Sequence, residues 1–191
     1  MNDVKTKYGI NNKVVRASEI TEDGRVVNTK AYNSWKNMMN RCYNEKLGIN
    51  HRSRVCDEWK VFENFKNWHD AHYYEGAELD KDWNGYHRHY CSPETCVFMP
   101  RKLNLYLKDK CVSKRDYSFK NGKYVAQCYI CGRQLYLGRY SDLQDCIEAV
   151  ITTRRSYALG IADGLRIDSE HLGKTLISEE AYNAVLRHKW E

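Results

Sequence analysis

No stretch of the chain is apolar for long enough to cross a bilayer, which takes about 18 to 20 consecutive apolar residues. The mean hydropathy of −0.78 also argues against a membrane protein. No positively charged, then apolar, leader opens the sequence, so the cytoplasm is the expected compartment. Reduced thiols are then expected for the eight cysteines, because cytosolic disulfides are rare. Cys128-Tyr-Ile-Cys131 has the spacing of half a zinc site, but no second such pair and no His pair follows it. Cys42, Cys56, Cys91 and Cys96 are irregularly spaced, so buried free thiols are expected there rather than a structural Zn²⁺. Proline is scarce, with two residues. The basic stretch 108–115 has neither proline nor glycine, so it need not be a floppy linker. Acid is scarce in one region: positions 101–140 hold ten Lys or Arg against two Asp, within a net charge of +6. Such a local excess attracts polyanions and supports phosphate contact.

The 191 residues suit one large domain or two small modules. Near the start, Lys13-Val14-Val15 and Arg25-Val26-Val27 read as strands of a small hairpin around Asp23-Gly24. Trp35, Met38, Met39 and Cys42 recur at helical spacing, which predicts a helix over 31–44 with one apolar face. A polar and basic loop over 45–54 follows. Residues 57–74 read as a second helix, whose aromatic stripe of Trp59, Phe62, Phe65 and Trp68 anchors a core; His69 and His72 are read as structural or surface residues. A short strand over 78–82, an Asn84-Gly85 turn, a Ser92-Pro-Glu-Thr95 turn and a buried strand over 96–99 come next. Pro100 suits the first position of a helix, where its missing N–H costs nothing. Asn104 falls one turn into that helix. An acidic oxygen from Asp80 and an amide oxygen from Asn104, if they converge, suit a hard divalent cation such as Mg²⁺.

In order along the chain stand Trp35-x-x-Met38-x-x-Arg41-Cys42-Tyr43, then Val55-Cys56-x-Glu58-Trp59-x-x-Phe62-x-x-Phe65, then Leu79-Asp80-Lys81-Asp82, then Ser92-Pro93-Glu94-Thr95-Cys96-x-Phe98-x-Pro100, then Asn104. This set resembles the HNH, or ββα-metal, nuclease family. It looks most like a phage-encoded branch found in free-standing homing endonucleases. The resemblance implies Asp80 and Asn104 as ligands of Mg²⁺ or Mn²⁺, Lys81 in the place of the general base, and Thr95 in the place of the Asn that braces that base. The last two depart from the family pattern, which has His and Asn there. A solvated lysine is protonated at neutral pH and accepts no proton unless burial or nearby cations depress its pKa. Asp82, His87 or His89 could supply another ligand or base.

Residues 117–163 read as three antiparallel strands followed by a helix. Asn121-Gly122 and Cys131-Gly132 mark the turns, Ser141-Asp-Leu-Gln144 a capping box, and Gly160 the helix stop. Leu143, Ile147, Val150 and Ile151 form the helix's inner stripe. Alternation points Tyr124, Ala126, Cys128, Leu135 and Leu137 at the helix, and Lys123, Val125, Gln127, Tyr129, Gln134 and Tyr136 away from it. Gly122-Lys-Tyr-Val-Ala-Gln127, Gly132-Arg-Gln-Leu-Tyr-Leu-Gly138 and the helix carrying Ala149 resemble the Apetala-type ethylene-response-factor DNA-binding domain, which also occurs in phage homing endonucleases. That resemblance implies a sheet lying in the major groove of double-stranded DNA, with Lys120, Lys123, Gln127, Tyr129, Arg133, Gln134, Tyr136 and Arg139 as the contacting residues. Residues 178–186 read as a short capped helix.

The sequence therefore predicts an α+β protein: an N-terminal hairpin (1–30), an HNH-like ββα-metal domain with flanking helices (31–110), a three-stranded antiparallel sheet packed on one helix (111–163), and a helical appendage (164–191). The expected activity is metal-dependent DNA cleavage in a host-cell cytoplasm. The alternative is a catalytically inactive DNA-binding regulator or inhibitor on the same scaffold. A purely protein-binding factor is a third reading, and it predicts no salt-dependent DNA affinity.

Overall fold

A computed structural model describes residues 9–44, 53–81, 89–107 and 112–190. The chain is mixed α+β and divides into two compact units, Met1–Phe98 and Met99–Glu191. The loop over 45–52, the Asn84-Gly85 turn, Asp82, His87 and the 108–111 part of the basic linker lie outside the described residues. Among the described residues no helix is long and apolar enough to cross a membrane.

The first unit opens on a hairpin of β1 (Ser18–Ile20) and β2 (Val26–Asn28). Its turn is the expected one, closed by the Gly24 N–H donating to the Thr21 carbonyl at 2.8 Å. The first strand, however, is Ser18–Ile20 and not 13–15. Helix α1 (Lys30–Tyr43) starts at the Thr29 cap, whose hydroxyl accepts from the Tyr32 N–H. It buries Ala31, Trp35, Met38, Met39 and Cys42 on one face, as the spacing predicts. Strand β3 (Arg54–Val55) pairs in parallel with β5 (Tyr90–Cys91).

The expected helix over 57–74 is broken. Helix α2 (Asp57–Lys60) ends at Val61, which is extended, and α3 (Phe62–His72) restarts after it. The cause is distant in sequence. Ile10 forms a parallel bridge with Val61: its N–H donates to the Lys60 carbonyl at 2.7 Å and its carbonyl accepts from the Phe62 N–H at 2.9 Å. Those bonds draw on the backbone groups that a continuous helix would pair internally. The aromatic core forms nonetheless. Trp35, Trp59, Phe62 and Phe65 are fully buried, and the Trp35 indole donates to the Trp59 carbonyl at 2.7 Å. Strand β4 (Ala77–Asp80) is hydrogen-bonded to β6 (Val97–Pro100).

The second unit includes α4 (Arg101–Leu107), which begins after Pro100; Pro100 closes β6 and is not the helix's first residue. Strands β7 (Tyr117–Lys120), β8 (Lys123–Ile130) and β9 (Arg133–Tyr140) form an antiparallel meander. Both of its turns carry positive φ at two successive residues, Asn121-Gly122 and Cys131-Gly132, the geometry that suits the twist of a two-residue hairpin. Behind the sheet runs α5 (Leu143–Leu172). Its cap is Asp142, whose carboxylate accepts from the Gln144 and Asp145 N–H groups, and not Ser141. The inner stripe is Cys146, Val150, Arg154, Ala158 and Ala162, of which the sequence reading identified only Val150; Leu143 and Ile147 are half-buried. Helix α5 continues through Gly160 and Gly164 and stops at Gly173, which adopts the left-handed conformation at φ 61°. The Lys174 N–H then bonds back to the Ser169 carbonyl, closing the end as a Schellman motif. The expected division at 163 therefore falls inside a single helix. Helix α6 (Glu179–Arg187) is capped by Ser178 as expected, buries Ala181, Ala184 and Val185, and packs against α5. Tyr106 of α4 packs its ring 4.9 Å from that of Tyr157 in α5.

Candidate nucleic-acid interface and candidate metal residues

The register of the three-stranded sheet decides which side chains share its outer face. Lys120 pairs with Lys123, Ser118 with Val125, Val125 with Arg139, Gln127 with Tyr136, and Tyr129 with Gln134. On the other face Ala126, Cys128 and Ile130 are buried against Cys146 and Val150 of α5. The face assignment read from alternation therefore holds for β8.

Strand β9 is less simple. Between Ala126 and Gln127 the register shifts, and Leu137 is the extra residue of a bulge. Simple alternation would put Arg139 on the side of Leu135 and Leu137. The bulge reverses it, so Arg139 joins Lys120 and Lys123 on the outer face and its guanidinium donates to the Lys120 carbonyl at 3.1 Å. Gly138 follows the bulge at φ 130°, a conformation that strains any residue with a Cβ, and such a Cβ would also crowd the Tyr140 hydroxyl oxygen at 3.3 Å. Arg133 pairs with buried Ile130 and falls on the opposite register, exposed at the strand end. All the expected DNA-contacting residues except Arg133 thus share one face.

That face has two zones. Lys120, Lys123 and Arg139 make a cationic corner, all exposed. At the other end Gln127, Tyr136, Tyr129 and Gln134 form a block of four, in which Tyr129 and Tyr136 are 53% and 66% exposed. Rings this open, on a face carrying cations, offer both stacking area and hydroxyls.

The metal candidates lie elsewhere. Asp80 is the last residue of β4, half-buried, and Lys81 follows it. Asn104 is half-buried in α4, in the second unit. His89 is exposed beside β5. Thr95 is buried: its hydroxyl donates to the Tyr90 carbonyl at 2.8 Å and accepts from the Ser92 N–H at 2.9 Å, so it holds the turn between β5 and β6. Among the described residues no group of three or more His, Cys, Asp or Glu side chains is arranged to hold a metal ion.

The cysteine positions converge more than their spacing suggests. The thiols of Cys42, Cys91 and Cys96 are neighbours, and all three are buried. Interaction with its two thiol neighbours, with the nearby charges of Lys81 and Arg41, holds the Cys91 thiol below its ordinary pKa; the same neighbour and burial push Cys42 and Cys96 up. Cys128 is buried, and Cys131 is exposed at the turn, its sulfur 2.6 Å from the Tyr157 hydroxyl. No family model, curated protein or solved structure matches the chain.

Proposed function

We propose that the chain is a phage-type, HNH-like DNA endonuclease whose three-stranded sheet holds double-stranded DNA. The observation that carries the DNA reading is the outer face of that sheet, where Lys120, Lys123 and Arg139 stand beside Gln127, Tyr129, Gln134 and Tyr136. Basic side chains bind phosphate and fix register, while amides and rings can read base edges in a major groove wide enough to admit a β-ribbon. The remaining basic residues of positions 101–140 add sequence-independent attraction.

Support for cleavage comes from the strand, strand, helix order of β4, β6 and α4, with Asp80 and Asn104 as carriers of hard oxygen donors. Such donors suit Mg²⁺ or Mn²⁺. When bound, such an ion supplies Lewis-acid stabilisation of a phosphodiester oxygen. For the chain's own part, Asp80 and Asn104 would hold the ion, and Lys81 would take a proton from water only as a neutral amine.

A second reading, a catalytically silent DNA-binding regulator, is favoured by Thr95. In the brace position it uses its hydroxyl to hold its own turn. Supercoiled DNA incubated with the protein and Mg²⁺ or Mn²⁺ separates the two. Nicking that Asp80→Ala and Asn104→Ala abolish supports the enzyme; retention of DNA without nicking under either metal supports the regulator.

A further inference from the structure

We infer that Gln134 is the residue that reads a base on this sheet, an adenine, and that Gln127 is the residue that positions it. The inference rests on the DNA reading of the sheet and adds a division of labour within it.

Gln127 and Gln134 are diagonal neighbours: Gln127 lies opposite Tyr136, and Tyr129 lies opposite Gln134. Diagonal pairs on one face are within reach of long side chains. The two amides form a directed chain. Gln127 Nε2 donates to the Arg115 carbonyl at 2.9 Å, and Gln127 Oε1 accepts from Gln134 Nε2 at 2.5 Å. The first bond ties the Gln127 amide to the backbone just before β7, which fixes which way its oxygen points. The second bond orients Gln134.

A carboxamide has two N–H donors and one carbonyl oxygen. The bond to Gln127 engages one N–H of Gln134, while Oε1 and a second N–H remain as a donor–acceptor edge. Adenine presents the complement in the major groove, N7 as acceptor and N6–H as donor, and a glutamine edge matches both at once. Gln127 is half-buried and bonded at both its amide atoms, so it is the poorer reader; Gln134 is exposed. The exposed rings of Tyr129, directly across the ladder, and Tyr136, two residues along β9, flank that amide. The cationic corner at Lys120, Lys123 and Arg139 supplies the phosphate contacts.

The test uses the full chain in EDTA, so that no cutting depletes the DNA, and a library of duplexes with a randomised central segment. Retained duplexes are sequenced for the unaltered protein and three variants. The expected consensus contains an A·T pair at one position. Gln134→Ala removes the preference there, with discrimination falling about tenfold or more, and leaves the base preferences at the other positions as they are in the unaltered protein. Gln134→Glu moves the preference to C·G, because a carboxylate accepts from the cytosine amino group. Gln127→Ala erodes the same position and no other. A consensus without an A·T position, or one that Gln134→Ala leaves intact, overturns the inference and leaves the sheet as a DNA-binding face. Failure of the unaltered protein to retain any duplex at low salt overturns the DNA reading of the sheet, and this inference with it.

Discussion

Arg154 Nη2 lies 2.5 Å from Asp116 Oδ1, with both side chains more than nine-tenths buried. Asp116 also accepts from the Ser113 N–H at 2.7 Å, and its own carbonyl accepts from the Gln127 N–H at 2.9 Å. One ion pair therefore joins α5, the turn before β7, and the residue that begins the outer-face amide chain. Removing one partner of a buried pair strands the other charge, which costs about 3–5 kcal/mol. Arg154→Met is expected to lower the urea midpoint by that order of stability. At a temperature where the variant is still folded, it is expected to weaken duplex binding as the 115–116 backbone loosens. A melt unchanged from the parent would show that the pair is not holding the unit together.

Helix α5 makes a prediction that separates its observed course from the one its glycines suggest. Gly160 and Gly164 are helical, and an added Cβ at either meets no atom within 4 Å. Alanine at each is expected to raise stability by about 0.5–1 kcal/mol, because glycine loses more backbone freedom on entering a helix. Were the helix to end at Gly160 in a left-handed cap, Gly160→Ala would destabilise instead. Thermal melts of the two single variants distinguish these outcomes.

These cases show which features were readable in advance. The α1 stripe, the Asn121-Gly122 turn and the Ser178 cap depend on neighbours in sequence, and each appeared where the residues placed it. The break at Val61 did not, since it depends on Ile10, 51 positions away. Glycine often ends a helix, but Gly160 does not end this one. What carries α5 past it is burial of Ala158 and Ala162 within the second unit, with α6 packed against the helix. On the sheet, alternation assigned β8 correctly, but the side taken by Arg139 depends on a bulge that no local pattern announces. Asp80 and Asn104 are proposed as metal ligands on the strength of a family resemblance, because a carboxylate and an amide 24 positions apart carry no spacing signal of their own.

His69 gives the first unit a pH dependence. Its ring is 3% exposed, lies 5.2 Å from the Phe98 ring and stacks at 4.7 Å on Tyr73. Burial holds its pKa below the ordinary value of 6.5, with Lys66 and Lys30 acting in the same direction and the Asp70 carboxylate opposing them. The folded state thus binds the proton less readily than the unfolded chain. Stability is full above about pH 6.5, the unfolded value, and declines as pH falls from there toward the lower folded pKa. Urea midpoints between pH 7.5 and 5 are expected to fall for the parent and to flatten in His69→Phe. An equal slope in both proteins would assign the acid sensitivity to other groups.

The salt dependence of duplex affinity tests the outer face of the sheet most directly. Fluorescence anisotropy of a labelled duplex, titrated with the full chain in EDTA at several salt concentrations, yields the slope of log affinity against log salt. Each of Lys120→Ala, Lys123→Ala and Arg139→Ala is predicted to reduce the magnitude of that slope by about 1 and to weaken binding evenly across sequences. The combined variant is predicted to lose about 3 from it. Affinity that does not vary with salt, or slopes that these substitutions leave untouched, would contradict the claim that this face holds DNA.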